Sequence, residues 1–305
     1  MTTEEKLRWQ IEICGIDKYH AKGYKGQGIT VLCHEDTDHG RRAMSVLQMV
    51  APEVSIIYAS VDQKTKGGKL VEFSWKINGE VYSFDEVMKT FKPDIISCSL
   101  RSSTSTIERD AIVKPYIGSG ELIIVTSAGN EGASGGAQPM YDCGLVIGAC
   151  QFFNGSKNDI RITSYSGRTS GKLDVDYVGF MGDWDGTSAA TPFVAGQIAL
   201  FMSRYGKVAQ STFQKLIKQH CKDLGDNNKD WIYGDGLIVL PEDISKEEAD
   251  MFKDVDDKRW SKKYIDKVYE EGIMNGVSKD MFAPEKPMTR EEVAAVICRA
   301  LFGME

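Results

Sequence analysis

Residues 186–196 read Gly-Thr-Ser-Ala-Ala-Thr-Pro-Phe-Val-Ala-Gly. A single serine, Ser188, stands between a glycine-threonine turn and an apolar run, as expected of a nucleophile at the N-terminus of a buried helix. The partial positive charge at a helix N-terminus favours the anion that forms when a serine attacks a carbonyl group. Small residues on both sides leave room for a substrate backbone. The stretch therefore predicts Ser188 as a nucleophile.

The longer form of this motif, with Pro192 and the Val194-Ala195-Gly196 continuation, resembles the nucleophile motif of the subtilisin-like serine proteases. The resemblance implies an α/β fold in three layers with a mostly parallel sheet. It also implies a serine endopeptidase that acts on proteins or peptides through an acyl-enzyme, with the acid and the histidine before the serine in the chain.

Short apolar segments alternate with amphipathic segments along the first half of the chain. The predicted strands are residues 29–33, 54–59, 94–99 and 122–126, and the predicted helices are residues 41–50, 84–91 and 106–118. Further along the chain, the apolar run of residues 193–204 predicts a buried helix. Continuous apolar strands that alternate with helices indicate an α/β domain whose parallel sheet is covered on both faces. Sites in such sheets lie beyond the carboxyl ends of the strands. We therefore expect the chemistry just after Cys33, Cys98 and Thr126.

The composition is that of a globular protein. The chain has 305 residues, 42% of them hydrophobic, which allows one large core and a small additional unit. A net charge of −7 and the lack of a long basic run argue against nucleic acid as a partner. No apolar stretch approaches the roughly 18 to 20 residues that cross a bilayer, so we expect no membrane span.

The N-terminus and the cysteines bear on localisation. The first ten residues are charged and lack the apolar core of a secretory signal. The seven cysteines are scattered and form no Cys-x-x-Cys pair, which favours reduced thiols. Both observations predict cytoplasmic synthesis without export by the usual signal route. Action at the cell envelope, or after release by lysis, stays open.

The segment after the first predicted strand contains the predicted acid and base. Residues 34–40 read His-Glu-Asp-Thr-Asp-His-Gly. A carboxylate at a strand end and a histidine at the start of the next helix can form the hydrogen bond that fixes the tautomer of a base. His39-Gly40 resembles the histidine motif of the same family and Asp36-Thr37 its acid motif. We therefore predict His39 as the general base and Asp36 as the residue that orients it.

Several alternatives stay open in this segment. A count without gaps from Gly28 puts Glu35 at the acid position, and Asp38 is also near. His34 competes as the base, although it lies within or just past the strand. The resembled family places a further strand between acid and histidine, whereas two residues separate the predicted pair here. This compressed loop also allows a catalytically impaired pseudoprotease that acts as a binding or cell-wall-anchoring protein.

Residues 127–132 read Ser-Ala-Gly-Asn-Glu-Gly and follow a predicted strand. The amide of Asn130 can donate to a developing oxyanion together with the Ser188 backbone N–H, and the match to the Ala-Gly-Asn motif of the family implies this role. An asparagine in a left-handed turn beside glycine is the alternative. Ser127 and Gly129 are expected to contact substrate.

Ser99-Leu100-Arg101 stands at the end of another predicted strand. The resembled family has Ser-Leu-Gly at this point and pairs its backbone with the extended substrate, which implies that Ser99, Leu100 and Arg101 bind substrate. Arg101 replaces a glycine of the family. It is either a solvated arginine at the rim of the site or a residue that favours acidic side chains near the scissile bond.

The resemblance implies no required cofactor and no metal at the catalytic residues. Many members of that family carry a calcium-binding loop inserted in the helix after the histidine, whereas Gly40 here continues to Met49 without an insertion. We therefore expect no calcium at that place, and calcium elsewhere stays possible.

The composition of the chain changes at Pro241. Residues 1–242 are predicted as the catalytic domain and residues 243–251 as an acidic linker. Residues 252–305 are predicted as a separate helical module, and they resemble an S-layer homology module over nearly their whole length.

The resemblance to that module implies a second partner, pyruvylated cell-wall polysaccharide. Asp256, Trp260 and Arg290 are the positions carried over, because an arginine at a helix start suits an anionic sugar. Such modules usually occur three at a time and this chain has one. Docking on the catalytic domain or self-association is therefore the alternative.

Overall fold

The computed structural model describes residues 2–66, 69–101, 106–169, 174–226, 228–244, 252, 254–256, 259–270, 273–277 and 281–302. The chain divides into two compact units, Met1–Glu242 and Asp243–Glu305. Most of the predicted linker, residues 243–251, lies outside the described residues.

The first unit contains the sheet that positions the site. Its strands are β1 Thr30–Cys33, β2 Ser55–Tyr58, β3 Ser60–Lys66, β4 Lys69–Ile77, β5 Glu80–Tyr82, β6 Ile95–Cys98, β7 Ile123–Ser127, β8 Leu145–Phe153, β9 Ser156–Ile162, β10 Tyr177–Gly179, β11 Cys221–Lys222 and β12 Leu237–Ile238. The order across the main sheet is β11-β12-β10-β8-β7-β6-β1-β2, with β9 beside β8. Every pairing along this order is parallel except β11 with β12, and β9 is antiparallel to β8. This confirms the predicted α/β class with a mostly parallel sheet.

Helices cover both faces of this sheet. They are α1 Thr3–Ile13, α2 Ile16–Ala21, α3 Asp38–Val50, α4 Phe84–Phe91, α5 Ile107–Gly118, α6 Gly132–Gly135, α7 Thr187–Tyr205 and α8 Gln210–Lys218. Apolar residues of α4 and α5 join one buried cluster with Leu32, Ile96 and Ile124 of the strands. Successive strand residues point to opposite faces. Helices α3 and α7, which contribute nothing to that cluster, pack against each other, and α7 also packs on β6, β7 and β8.

The central helix α7 is buried along most of its length. It begins at Thr187, six residues before the apolar run that predicts a helix from Phe193. Most of its side chains from Thr187 to Met202 are buried, so the helix is stabilised mainly by tertiary packing. Ser188 consequently lies in the first turn of a long, firmly packed helix.

A second, antiparallel sheet, β3-β4-β5, is not among the predicted elements. Trp75 of β4 is fully buried in the cluster that contains the apolar face of α4. The Trp75 ring packs edge to face on His34, with 4.6 Å between ring centroids. The small sheet therefore covers the end of β1.

The second unit contains the helices α9 Lys262–Glu270 and α10 Arg290–Phe302. The carboxylate of Asp254 accepts hydrogen bonds from the backbone N–H groups of Phe282 and Ala283 at 2.9 and 2.7 Å. Among the described residues of this unit, Phe252, Val255 and Ile265 form a small buried cluster, with Tyr269 and Phe282 packed against it. In the described parts of both units, no helix is long and apolar enough to cross a membrane.

Candidate active site

Ser188 is the second residue of α7, which begins directly after Gly186. The φ of Gly186 is 89°, a backbone conformation that residues with a side chain rarely adopt. A proline in a helix has no N–H to donate to the carbonyl four residues earlier, so Pro192 leaves the Ser188 carbonyl oxygen free. The hydroxyl of Ser99 fills this position and donates to that oxygen at 2.8 Å. In return, the Ser188 hydroxyl donates to the Ser99 carbonyl oxygen at 3.1 Å. Ser99, at the end of β6, thus holds Ser188 at two points.

His39 is the second residue of α3, and the carboxylate at its side belongs to Glu35. The His39 Nδ1 lies 2.7 Å from the Glu35 Oε2. A carboxylate only accepts hydrogen bonds, so Nδ1 carries the hydrogen when the ring is neutral, and Nε2 is left with a lone pair. The side chain of Glu35 is 12% exposed and that of His39 is 39% exposed. The acid is therefore shielded and the base is open to the cleft.

The predicted contact between Asp36 and His39 is wrong. The exposed Asp36 forms an ion pair with Arg41, with 2.6 Å between Oδ1 and the guanidinium. Asp38, the other alternative acid, is the exposed first residue of α3. The physical reason is the direction of the chain after β1, which turns Glu35 inward and Asp36 outward before the helix begins.

Thr37 connects the acid to the helix. As the N-cap of α3 it accepts a hydrogen bond from the Gly40 N–H at 3.2 Å, and its hydroxyl donates to the Glu35 Oε1. A Cβ at Gly40 would lie 2.3 Å from the Glu35 carbonyl oxygen, so only glycine fits there. Glu35 is consequently fixed through both carboxylate oxygens, one on Thr37 and one on His39.

His34, the alternative base, lies away from the cleft. It is 1% exposed, and its Nε2 lies 2.6 Å from the Tyr141 hydroxyl. Burial, with a smaller contribution from the positive charge of Arg109, lowers the pKa of His34 to about 3. His34 thus faces Trp75 and Tyr141 and is not among the residues that line the cleft with Ser188, so it is not placed to act as the base of this site.

Asn130 follows β7 and contacts the start of α7. Its Oδ1 accepts from both the backbone N–H and the hydroxyl of Thr187, each at 3.0 Å. These two donors fix the orientation of the amide and leave the Nδ2 group for another acceptor. The Ser188 N–H belongs to the first turn of α7, where a helix provides no acceptor of its own. Two donors, one from each residue, are thus available beside the serine.

Ser99, Leu100 and Arg101 form one edge of the cleft. The Leu100 carbonyl oxygen accepts from the Ser127 hydroxyl at 3.2 Å. Arg101 does not stand free at the rim, because its guanidinium lies 2.7 Å from Glu131 Oε1 and also donates to Gln138 at 3.2 Å. The positive charge on which a preference for acidic substrates would depend is therefore already paired.

A cleft of about 290 Å³ brings the predicted residues together. Every predicted catalytic residue except Asp36 lines this cleft. Three lining residues, Glu35, Glu131 and Thr187, are not among the predicted catalytic and substrate-binding residues. The complete lining is Glu35, His39, Ser99, Leu100, Arg101, Ser127, Gly129, Asn130, Glu131, Thr187 and Ser188. Glu131 directly follows Asn130, and this adjacency is the sequence signal that could have identified it. Among the described residues, no group of His, Cys, Asp and Glu is arranged to hold a metal ion.

In the second unit, the three predicted polysaccharide residues are exposed. Trp260 is 80% exposed and packs edge to face on Tyr264, and Arg290 is the exposed first residue of α10. A groove of about 330 Å³ in this unit is lined by other residues, including Phe282 and Arg299. Of the three carried-over positions, Asp256, Trp260 and Arg290, none lines it.

Comparison with known families and proteins gives two matches along the chain. The model of the subtilase family matches residues 30–236, and that of the S-layer homology domain matches residues 252–294. The first match covers the strands and helices that build the cleft. The second covers most of the described part of the second unit.

Known relatives align with about three fifths of the chain. Subtilisin E of Bacillus subtilis (strain 168) is 29% identical over 202 residues, which is 62% of this chain and 49% of that protein. The intracellular serine protease of Paenibacillus polymyxa is 28% identical over 213 residues, 63% of this chain and 60% of that protein. The chain spans about half the length of subtilisin E. A crystal structure of a lanthipeptide protease aligns at a TM-score of 0.49 and 17% identity, covering 77% of this chain and 94% of that one.

Proposed function

Because the chain belongs to the subtilase family, we propose that it is a serine endopeptidase that hydrolyses proteins or peptides. Ser188 is the nucleophile, His39 the general base, and Glu35 the residue that orients His39. The observation that supports this best is the contact between Glu35 and His39 at a cleft that also contains Ser188.

The proposed reaction passes through an acyl-enzyme. The Nε2 of His39 takes the proton of the Ser188 hydroxyl while Oγ bonds to the substrate carbonyl carbon. The imidazolium then returns this proton to the leaving amine as the C–N bond breaks. A water molecule, deprotonated by the same nitrogen, attacks the ester and releases Ser188. Before the first step, the hydrogen bond from Ser188 to Ser99 must be exchanged for one to His39, a tightening that is usual when substrate binds.

The oxyanion of each tetrahedral intermediate is proposed to lie between the Asn130 Nδ2 group and the Ser188 N–H. The two hydrogen bonds from Thr187 to the Asn130 side-chain oxygen support this, because they fix the amide beside the start of α7 and leave its Nδ2 group for another acceptor. One such donor typically contributes roughly 3 to 4 kcal/mol to transition-state stabilisation. The proposed chemistry needs no cofactor.

The hydrogen bond between Ser188 and Ser99 favours a second candidate function. If the serine keeps this bond in the presence of substrate, the chain binds peptides in the same cleft without cleaving them. It is then a pseudoprotease that acts as a binding or anchoring protein.

Treatment with an active-site-directed fluorophosphonate distinguishes the two candidates. For an active endopeptidase we expect one label, on Ser188, and turnover of a fluorogenic peptide library, both absent in Ser188→Ala. The matched control Ser203→Ala removes a serine hydroxyl further along α7 and should keep both. Absence of label in the folded native chain would overturn the enzymatic proposal. Peptide binding without turnover would support the second candidate.

For the second unit we propose binding to an anionic cell-wall polysaccharide, which would hold the protease at the cell surface. The match to the S-layer homology domain supports this proposal, as does the exposure of Trp260 and Arg290. An exposed aromatic ring suits the face of a sugar, and a guanidinium suits a carboxylate.

A further inference from the structure

The N-terminal helix α1 reaches the loop that leads to the nucleophile. Gln10 is 1% exposed although it is polar. Its Nε2 donates to the Gly182 carbonyl oxygen at 3.2 Å, and its Oε1 accepts from the Gly182 N–H at 3.0 Å. One side chain thus satisfies both backbone groups of a residue 172 positions away, and both bonds are buried.

Gly182 lies in the loop of residues 180–186, between β10 and α7. Its φ is 62°, and a Cβ there would lie 3.3 Å from side-chain atoms of Met49 and Val46 on α3. The loop is therefore held against α3 on one side and by Gln10 on the other. Without the Gln10 amide, a buried N–H and a buried carbonyl would be left unpaired, which drives such a loop to rearrange.

The same loop contacts the predicted base. Trp184, two residues after Gly182, packs edge to face on the imidazole of His39, with 5.0 Å between ring centroids. The backbone N–H of Trp184 donates to the Met181 carbonyl oxygen at 3.1 Å. The guanidinium of Arg42 lies over the Trp184 ring, 5.0 Å from its centroid. The His39 ring is thus in contact with two groups, the Glu35 carboxylate and the Trp184 indole.

From these contacts we propose that Gln10 is a positioning residue of the active site, which acts through Gly182 and Trp184 on the orientation of His39. The proposal rests on the proposed peptidase function, because it assigns Gln10 a role in the same reaction. It makes helix α1 a support of the catalytic site, in addition to its anchoring by the Trp9 ring on Phe152.

A double-mutant cycle in the full chain tests the proposal. Gln10→Met keeps the length of the side chain but forms neither hydrogen bond, and Trp184→Ala removes the contact with His39. We expect Gln10→Met to lower kcat roughly 10- to 100-fold with little change in KM, as for a misplaced catalytic group. In the Trp184→Ala background the same change should have almost no further effect. Arg8→Met, on the exposed side of α1, is the matched control and should leave kcat unchanged.

A second readout does not depend on catalysis. Mass spectrometry follows the rate at which diethyl pyrocarbonate modifies His39. This rate should rise several-fold in Gln10→Met relative to the native chain. In the double variant it should be no higher than in Trp184→Ala alone. If Gln10→Met changed kcat and the modification rate by the same factors in the native chain and in Trp184→Ala, Gln10 would be merely structural and the proposal would be overturned. If Gln10→Met fails to fold, Gln10→Glu, which keeps the acceptor for the Gly182 N–H, replaces it. A native chain without turnover that still shows the coupled modification rates would overturn the peptidase function alone.

Discussion

The proposed acid, Glu35, and the proposed base, His39, are only four positions apart in the chain. Glutamate carries one methylene more than aspartate. From its position before the helix, the Glu35 carboxylate reaches forward to His39 in the first turn. Asp36 turns outward to Arg41. Motif similarity favours Asp36, and only the gap-free count from Gly28 favours Glu35. The long motifs predict Ser188 and Asn130, which do line one cleft. Side-chain direction in a short loop depends instead on where the helix starts, which a motif does not specify.

Glu35 and Asp36 can be compared directly by removing one charge at a time. We expect Glu35→Gln to lower kcat roughly 10³- to 10⁴-fold, because an amide in place of the carboxylate stabilises the wrong tautomer and no longer stabilises the imidazolium. Asp36→Asn is the matched control and should lower kcat by less than about threefold, since it removes an exposed ion pair. Steady-state kinetics on one peptide substrate measure both. The reverse order of effects would restore Asp36 as the acid.

At the scale of elements, the clearest predictions come from continuous apolar runs. Strands β1, β6 and β7 lie within one residue of their predicted ends, because a strand buried on both faces has a distinct sequence. Helix α7 starts earlier than the apolar run predicts, since its first six residues, 187–192, are small residues followed by a proline and are also typical of loops. The small sheet β3-β4-β5 was missed because its strands carry many charged residues. Its signal was the alternation of Phe73, Trp75 and Ile77.

The packing of the small sheet on β1 makes stability depend on pH. Burial beneath Trp75 and Tyr141 lowers the pKa of His34 to about 3, whereas the same group in the unfolded chain has a pKa near 6.5. Between these values the unfolded chain binds a proton that the folded chain does not. The stability contributed by the neutral ring is therefore fully present above pH 6.5 and is lost as the pH falls towards 3, by at most about 1.4 kcal/mol per pH unit.

Urea unfolding at several pH values between 7.5 and 5 measures this effect. We expect His34→Gln, which can still accept from the Tyr141 hydroxyl but does not titrate, to unfold with a smaller loss of stability on acidification than the native chain. Its stability at pH 7.5 sets the baseline for the comparison. An acid dependence identical to that of the native chain would assign the effect to other groups.

At the scale of the whole molecule, the two units differ in how well they bury apolar side chains. The first has a large core, whereas the described part of the second shows a buried cluster of only a few residues. Its exposed large apolar side chains are Trp260, Tyr264, Val277, Met281, Met288, Val293, Ile297 and Leu301. A small unit with this much exposed apolar surface usually functions with a partner surface. Polysaccharide, the catalytic domain and a second copy stay the predicted partners of this unit.

The division of the chain predicts that wall binding and hydrolysis can be lost separately. Arg290 begins α10, where its guanidinium and the positive end of the helix both favour an anionic sugar, and it is far in sequence from every residue of the cleft. We expect Arg290→Ala to weaken binding to isolated cell-wall polysaccharide roughly tenfold, and native binding to weaken as salt rises. Arg290→Lys, which keeps the charge but not the bidentate geometry, should bind more weakly than the native chain and more strongly than Arg290→Ala.

Lys89→Ala removes an exposed charge of the first unit and should bind like the native chain. All four chains should hydrolyse a peptide substrate at the same rate, and a parallel loss of binding and hydrolysis in Arg290→Ala would contradict the separation of the two functions.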